Sequence, residues 1–241
     1  MKIQRLAWAG IKIQEGKTTL FVDATSKEGD IKLTAETEYK HAVITNPFSQ
    51  HFDPAALKTV FDNNSWVISH EDVLNWVDTR AFHTRKLNLY ESLILAGNTS
   101  DLIATPVPAV SGFGPPLVSW IMEAGGKKIV HCGATAWHGQ WWDLGRIYGP
   151  FDMAFMPING ARQNVGRNTD EGIPSVLTPQ QAVVAAKLLG AKAICPIHYG
   201  SLDENYFETP DAEGRFLKAA KEMTIKAVLL KQGEWVDWQA L

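Results

Sequence analysis

The chain has 241 residues, of which 45% are hydrophobic and 20% charged, enough apolar content for one substantial core and too much for extensive disorder. Its 23 basic and 26 acidic residues give a formal net charge of -3 and are scattered, which excludes the basic footprint of a nucleic-acid or membrane-surface binder. Two cysteines cannot make a disulfide framework, residues 1–10 lack the apolar centre of a leader, and no apolar run approaches the ~20 residues of a membrane helix; a cytoplasmic location is expected.

In chain order, residues 3–9, 11–14 and 19–22 read as a strand meander, broken at Gly10 and at Glu15-Gly16-Lys17. Residues 41–45 form a short apolar strand, followed by a loop and a helix that Asp53 caps and Pro54 opens. Residues 65–69 are again strand-like, and residues 70–77 have helical spacing with acids in the first turn. Strand-type segments dominate residues 85–132, with a hairpin turn at Gly125-Gly126. Then come a strand over 151–158, a helix over 178–189 bounded by Pro179 and Gly190, a strand over 191–198, a helix over 211–223, and a closing pair over 226–230 and 235–238. The pattern predicts one domain spanning residues 1–241, an α+β four-layer αββα sandwich, with a doubly wound sheet as the competing architecture.

The segment Thr45-Asn46-Pro47-Phe48-Ser49-Gln50-His51-Phe52-Asp53, placed after an apolar strand, resembles the first metal-binding loop of the metallo-β-lactamase superfamily, Thr-His-X-His-X-Asp-His. Further landmarks follow in order. Leu20-Phe21-Val22-Asp23 is similar to the strand ending in an acid that precedes that loop. His131-Cys132-Gly133-Ala134-Thr135 is similar to the Gly-Asp-Thr segment that supplies a bridging carboxylate. Phe151-Asp152-Met153-Ala154-Phe155 and Pro196-Ile197-His198-Tyr199-Gly200 resemble the closing region of the branch that contains the ascorbate-phosphate lactonases.

Carried over residue by residue, the resemblance puts the first two His ligands on Asn46 and Phe48, the Asp on Gln50, and the bridging Asp on Ala134. The histidine expected near Pro108-Ala109-Val110-Ser111 is absent. Only His51 and His198 fall on ligand positions. A catalytic zinc needs about three His, Cys or carboxylate ligands and an open position for water. The sequence therefore implies no resident cofactor, or a single weakly held zinc or other divalent metal. Strand alternation adds Cys132 to His51 and His198 as a candidate metal set, since Cys132 and Ala134 share a strand face; a small buried hydrophobe is the other reading of that thiol. Alternation sends His131 to the opposite face as a packing residue.

His51 and His198 are also the catalytic candidates, as a hydrogen-bonded acid-base pair without metal. Candidate substrate contacts are Asn46 and Gln50 in the loop, Tyr199 after the last histidine, and the aromatic run Trp137, His138 and Trp141, read either as a stacking wall or as core. Arg162 and Arg167, in a polar loop with Asp170 and Glu171, are either an anion fork or solvated ion pairs. Three functions stay open. The first is a member that has lost its dinuclear site and binds a small anionic metabolite. The second is an active hydrolase or lactonase-like enzyme using His51 and His198 with one metal or none. The third is a structural or regulatory subunit of an active relative, with residues 137–148 as the interface; a homo-oligomer is a separate expectation. Neither nucleic acid nor membrane is an expected partner.

Overall fold

In the computed structural model, residues 1–27, 32–95, 101–162, 172–200 and 208–241 are described. Two sheets lie face to face. The first holds β1 (Lys2–Arg5), β2 (Ile11–Glu15), β3 (Thr18–Val22), β4 (Tyr39–Val43), β5 (Trp66–His70) and β6 (His83–Leu87), in that order. Its first three strands are an antiparallel meander; β3 to β6 run parallel. The second sheet orders its strands from β7 (Leu93–Leu95) through β8 (Leu102–Pro108), β9 (Val118–Ala124), β10 (Lys127–His131), β11 (Phe151–Pro157) and β12 (Ala191–Ile197) to β13 (Lys226–Ala227). Pairing there is antiparallel up to β10 and parallel beyond it.

The helices are α1 (Pro54–Lys58), α2 (Glu71–Leu74), α3 (Trp141–Tyr148), α4 (Pro179–Leu188) and α5 (Ala212–Glu222). Local chemistry sets their starts. Asp53 accepts the Ala56 N–H at 3.0 Å, and Thr178 and Gln181 form a reciprocal capping box ahead of Pro179. Alternation along the second sheet separates two apolar layers. Trp120, Met122, Ile129, Phe155 and Ile197 face the first sheet, whereas Ile121, Val130, Ala154 and Ile194 pack with Trp141, Val183 and Phe216 under the helices. The Trp120 indole ties the sheets together by donating to the Ile44 carbonyl at 3.0 Å.

This is the four-layer sandwich; the competing single doubly wound sheet is not formed. Three expectations change in detail. The first strand stops at Arg5, because Leu6 N–H bonds to the Gly10 carbonyl at 2.8 Å and closes a tight turn. The aromatic run after residue 136 contains α3. The closing segments do not pair with each other: β13 adds to β12, and Trp235 bridges to Gln4.

The turn after β10 is specified by glycine. Gly133 has φ +54°, and a Cβ there would sit 2.5 Å from Thr45 Oγ1 and 2.7 Å from Thr45 Cβ. Left-handed strain and overpacking add, so Gly133→Ala is expected to lower the unfolding free energy by about 2–4 kcal/mol, measured by urea denaturation. An unchanged urea midpoint would refute this account of the turn.

Candidate functional site

Three strands end at one rim of the sandwich with a left-handed residue. Asp23 follows β3 with φ +48°, Gly133 lies just beyond β10, and His198 follows β12 with φ +57°. Ile197 faces the first sheet, so a regular strand would send residue 198 to the helix side. The left-handed backbone instead brings the His198 ring against Trp8 and His51, with ring centroids 4.4 Å and 5.1 Å away. Such conformations cost about 1–2 kcal/mol for an L-residue and concentrate where function holds them.

Asp23 is fully buried and organises the group. Its Oδ1 accepts the Thr45 N–H at 2.8 Å, and its Oδ2 accepts the Thr45 hydroxyl at 2.6 Å and His51 Nδ1–H at 2.7 Å. Burial opposes ionisation of Asp23, but the neighbouring His51, His131 and the Thr45 hydroxyl outweigh it and hold the carboxyl below its ordinary range. The proton on His51 is thereby assigned to Nδ1, and Nε2 becomes the ring atom available to a ligand. His198 is held well below the ordinary histidine value, first by burial and then by the nearby His51.

A second layer supports these rings. His131 Nε2–H donates to the Ala9 carbonyl at 2.7 Å, and its Nδ1 accepts the Gly133 N–H at 3.3 Å, which fixes a neutral tautomer. Arg5 is buried and donates to the carbonyls of Leu6 at 2.8 Å, Gly10 at 3.0 Å and Trp8. The Trp8 carbonyl also receives the His198 backbone N–H at 3.3 Å. The turn over residues 6–10 is thus clamped between Arg5, His131 and His198.

His131, not Cys132, belongs to the site. His131 pairs directly with Trp120, whose indole reaches the first sheet, so His131 shares that face. Cys132 lies in the other apolar layer with Trp141 and Val130, and burial pushes its thiol up to about 12. The Cys132, His51, His198 set is therefore not assembled. Asn46 is buried, but its carboxamide is committed locally: Oδ1 accepts the Phe48 N–H at 3.0 Å, and Nδ2 donates to Thr45 Oγ1 at 3.3 Å. Phe48 is exposed and Gln50 half-buried. Ala134 packs with Ala161 and Val176 in a small apolar cluster.

Trp141 is a core residue of the helix-covered layer instead of a cleft wall, whereas Trp137 is exposed. His138 stacks on Trp141 at 3.8 Å; its Nδ1 accepts the Gln140 N–H at 3.2 Å, and burial drives it down to about 4. The Tyr199 hydroxyl donates to Glu213 at 2.9 Å. Arg162 is half-buried; Arg167, Asp170 and Glu171 lie outside the described residues. Sequence reasoning gave Asp23 no chemical role and passed over Arg5 and Trp8. A lone aspartate closing an apolar strand was the available signal, for Asp23 only.

The family model described as Beta-lactamase superfamily domain matches residues 51–199, more than half of the chain and from one rim histidine past the other. The chain belongs to the beta-lactamase superfamily. Among its superfamily relatives, a UPF0173 metal-dependent hydrolase of Methanospirillum hungatei is 23% identical over 97% of both chains. One from Rubrobacter xylanophilus is 30% identical over 50% of this chain and 43% of its own. Solved structures agree on the fold. Igni18, a metallo hydrolase from Ignicoccus hospitalis, superposes with a TM-score of 0.72 at 18% identity, covering 98% of this chain and 97% of its own. The metallo-beta-lactamase fold protein YhfI of Bacillus subtilis gives 0.66 at 13% identity, covering 98% and 99%. In this superfamily member no group of three or more His, Cys, Asp or Glu able to hold a metal occurs among the described residues. None of its described helices is long and apolar enough to cross a membrane.

The buried histidines give the superfamily fold here an acid-sensitive side. His138 is neutral when folded, with its value lowered from 6.5 to about 4, so as pH falls the unfolded chain takes up the proton first. Stability is therefore present above the unfolded value and drains away below it. His138→Gln is expected to remove about 1–2 kcal/mol of the stability lost between about pH 7 and pH 5, read from urea midpoints. An identical pH dependence in the variant would contradict this.

Proposed function

We propose that this chain is a hydrolase-like superfamily member that binds a small anionic metabolite at the His51–His198 rim without the two-metal hydrolysis of metal-loaded relatives. The carrying observation is the donor set. The positions that would complete two metal centres hold Asn46, whose amide is spent on its own turn, exposed Phe48, half-buried Gln50 and apolar-packed Ala134. These residues do not fit a dinuclear site, and two imidazoles bind zinc weakly. Relatives named as metal-dependent hydrolases supply the lineage, and this chain's own residues the departure from it.

What the residues can do follows from the Asp23–His51 hydrogen bond. An anion beside His51 Nε2 favours a proton on that atom, and Asp23 on the far side of the ring stabilises the resulting imidazolium. His198, held neutral by burial and by the nearby His51, stacks on the His51 ring and adds a second imidazole to the rim. Inorganic phosphate should therefore bind the chain with an affinity that falls about tenfold in His51→Gln, measured by calorimetry at one pH; equal affinities would contradict the role given to His51.

A second reading is favoured by the same bond. An Asp-oriented imidazole has the arrangement of a general base, and a metal-free hydrolase acting on an ester or lactone would use it on a water. Metal analysis of dialysed protein, run with an ester, lactone and phosphodiester panel, separates the two. The proposal expects well under one metal per chain and no turnover. Turnover without metal that His51→Gln abolishes would replace it with the second reading. One retained metal per chain, lost in His198→Ala, would overturn both.

A further inference from the structure

A second concave site lies at the opposite ends of the parallel strands. His51 follows the C-terminal end of β4, whereas Tyr39, Trp66 and His83 stand at the N-terminal ends of β4, β5 and β6. β6 and β7 are the outermost strands of their sheets, and between them the sandwich opens into a groove of about 610 Å³, within the range of small-molecule sites. One wall is aromatic: the Trp66 and His83 rings stand 5.5 Å apart at 38°. The facing wall is Leu93, Ile94 and Leu95. Trp66 and Ile94 are 39% and 56% exposed, apolar surface that folding has not covered.

The charge in this groove has one sign. The described lining residues include no Asp or Glu. Arg85, at the rim and one register step beyond His83 on the same strand face, makes no ion pair among the described residues. At the floor, His41 is buried and its Nδ1 has no hydrogen-bond partner. Nearby acids are already engaged: Asp62 holds Lys40 at 2.8 Å and Glu38 holds Lys17 at 2.8 Å.

We propose that this groove binds a planar aromatic anion, with its rings laid against Trp66 and His83 opposite Leu93 and Ile94, and its acidic group at the Arg85 guanidinium. The aromatic wall selects a flat body over a flexible chain. The unpaired guanidinium selects a carboxylate or sulfonate over a neutral head. The site is independent of the His51–His198 rim.

Displacement of fluorescent anilinonaphthalene sulfonate from the full chain tests it, with three competitors: naphthoate, the neutral naphthalene methanol and the flexible decanoate. Naphthoate should compete best. Arg85→Ala should weaken naphthoate about fivefold and leave naphthalene methanol unchanged. Trp66→Ala should weaken both about tenfold. Trp76→Ala, an exposed tryptophan outside the groove, should change neither. Naphthoate binding unaltered in both groove variants, or decanoate competing best, would overturn the proposal. Self-association on light scattering that Trp66→Ala abolishes, without any dye binding at Trp66, would make the groove an interface between copies and overturn it equally.

Discussion

A single buried carboxylate carries the architecture of the rim. Asp23 binds the backbone N–H and the hydroxyl of Thr45 and the Nδ1–H of His51, so it fixes where the chain leaves β4 and how the next histidine is turned. Thr45 passes the constraint on: its carbonyl accepts the Val118 N–H at 2.8 Å from the second sheet, and its side chain fills the space that only a glycine at position 133 leaves open. A buried carboxylate is stabilised by its three donors, and removal of any one costs a charge-assisted hydrogen bond in a site that water does not reach. The sheet-to-sheet contact, the turn after β10 and the orientation of His51 are thus one linked unit.

Three of the six non-glycine left-handed residues among the described residues lie at that unit; Tyr90, Asp211 and Thr224 lie elsewhere. Trp8, Asp23 and His198 all adopt left-handed backbone without being glycine, and all three touch the same cluster. Arg5 explains how the first of them is held, since its guanidinium is satisfied by carbonyls of the turn itself. The arrangement keeps a rigid, Asp-oriented imidazole facing the His198 ring.

The fold was largely legible because its signals are local. Asp53 with Pro54, and Thr178 with Pro179 and Gln181, announce helix starts through hydrogen bonds a few residues long. The alternation of β8 to β10 gives strands; the sequence places His51 in the loop after an apolar strand, where the fold has it, whereas His198, read as the last strand residue, lies one residue beyond β12 in left-handed backbone. The face of His131 and Cys132 was not legible. β10 is covered by the first sheet on one side and by helices on the other, so both faces are apolar and alternation carries no sign; the register with Trp120 decides it, and register is a tertiary fact. Trp141 was ambiguous for the same reason, since an aromatic side chain fills a core as readily as it lines a cleft. Arg5 could not be placed because its partners are backbone carbonyls, which leave no trace in side-chain spacing.

The proposed binding role requires that Asp23 hold the His51 Nδ1–H while Nε2 stays free of metal; the hydrogen bond alone suits a metal ligand equally, so the response to zinc decides it. Long-range proton–nitrogen NMR of histidine-labelled protein reads this directly, at each ring nitrogen and with zinc added at one equivalent per chain. The account predicts that His51 Nδ1 carries a proton shared with Asp23, and that zinc leaves the Nε2 resonances of His51 and His198 where they were. A joint shift of those two Nε2 resonances at one equivalent would contradict it.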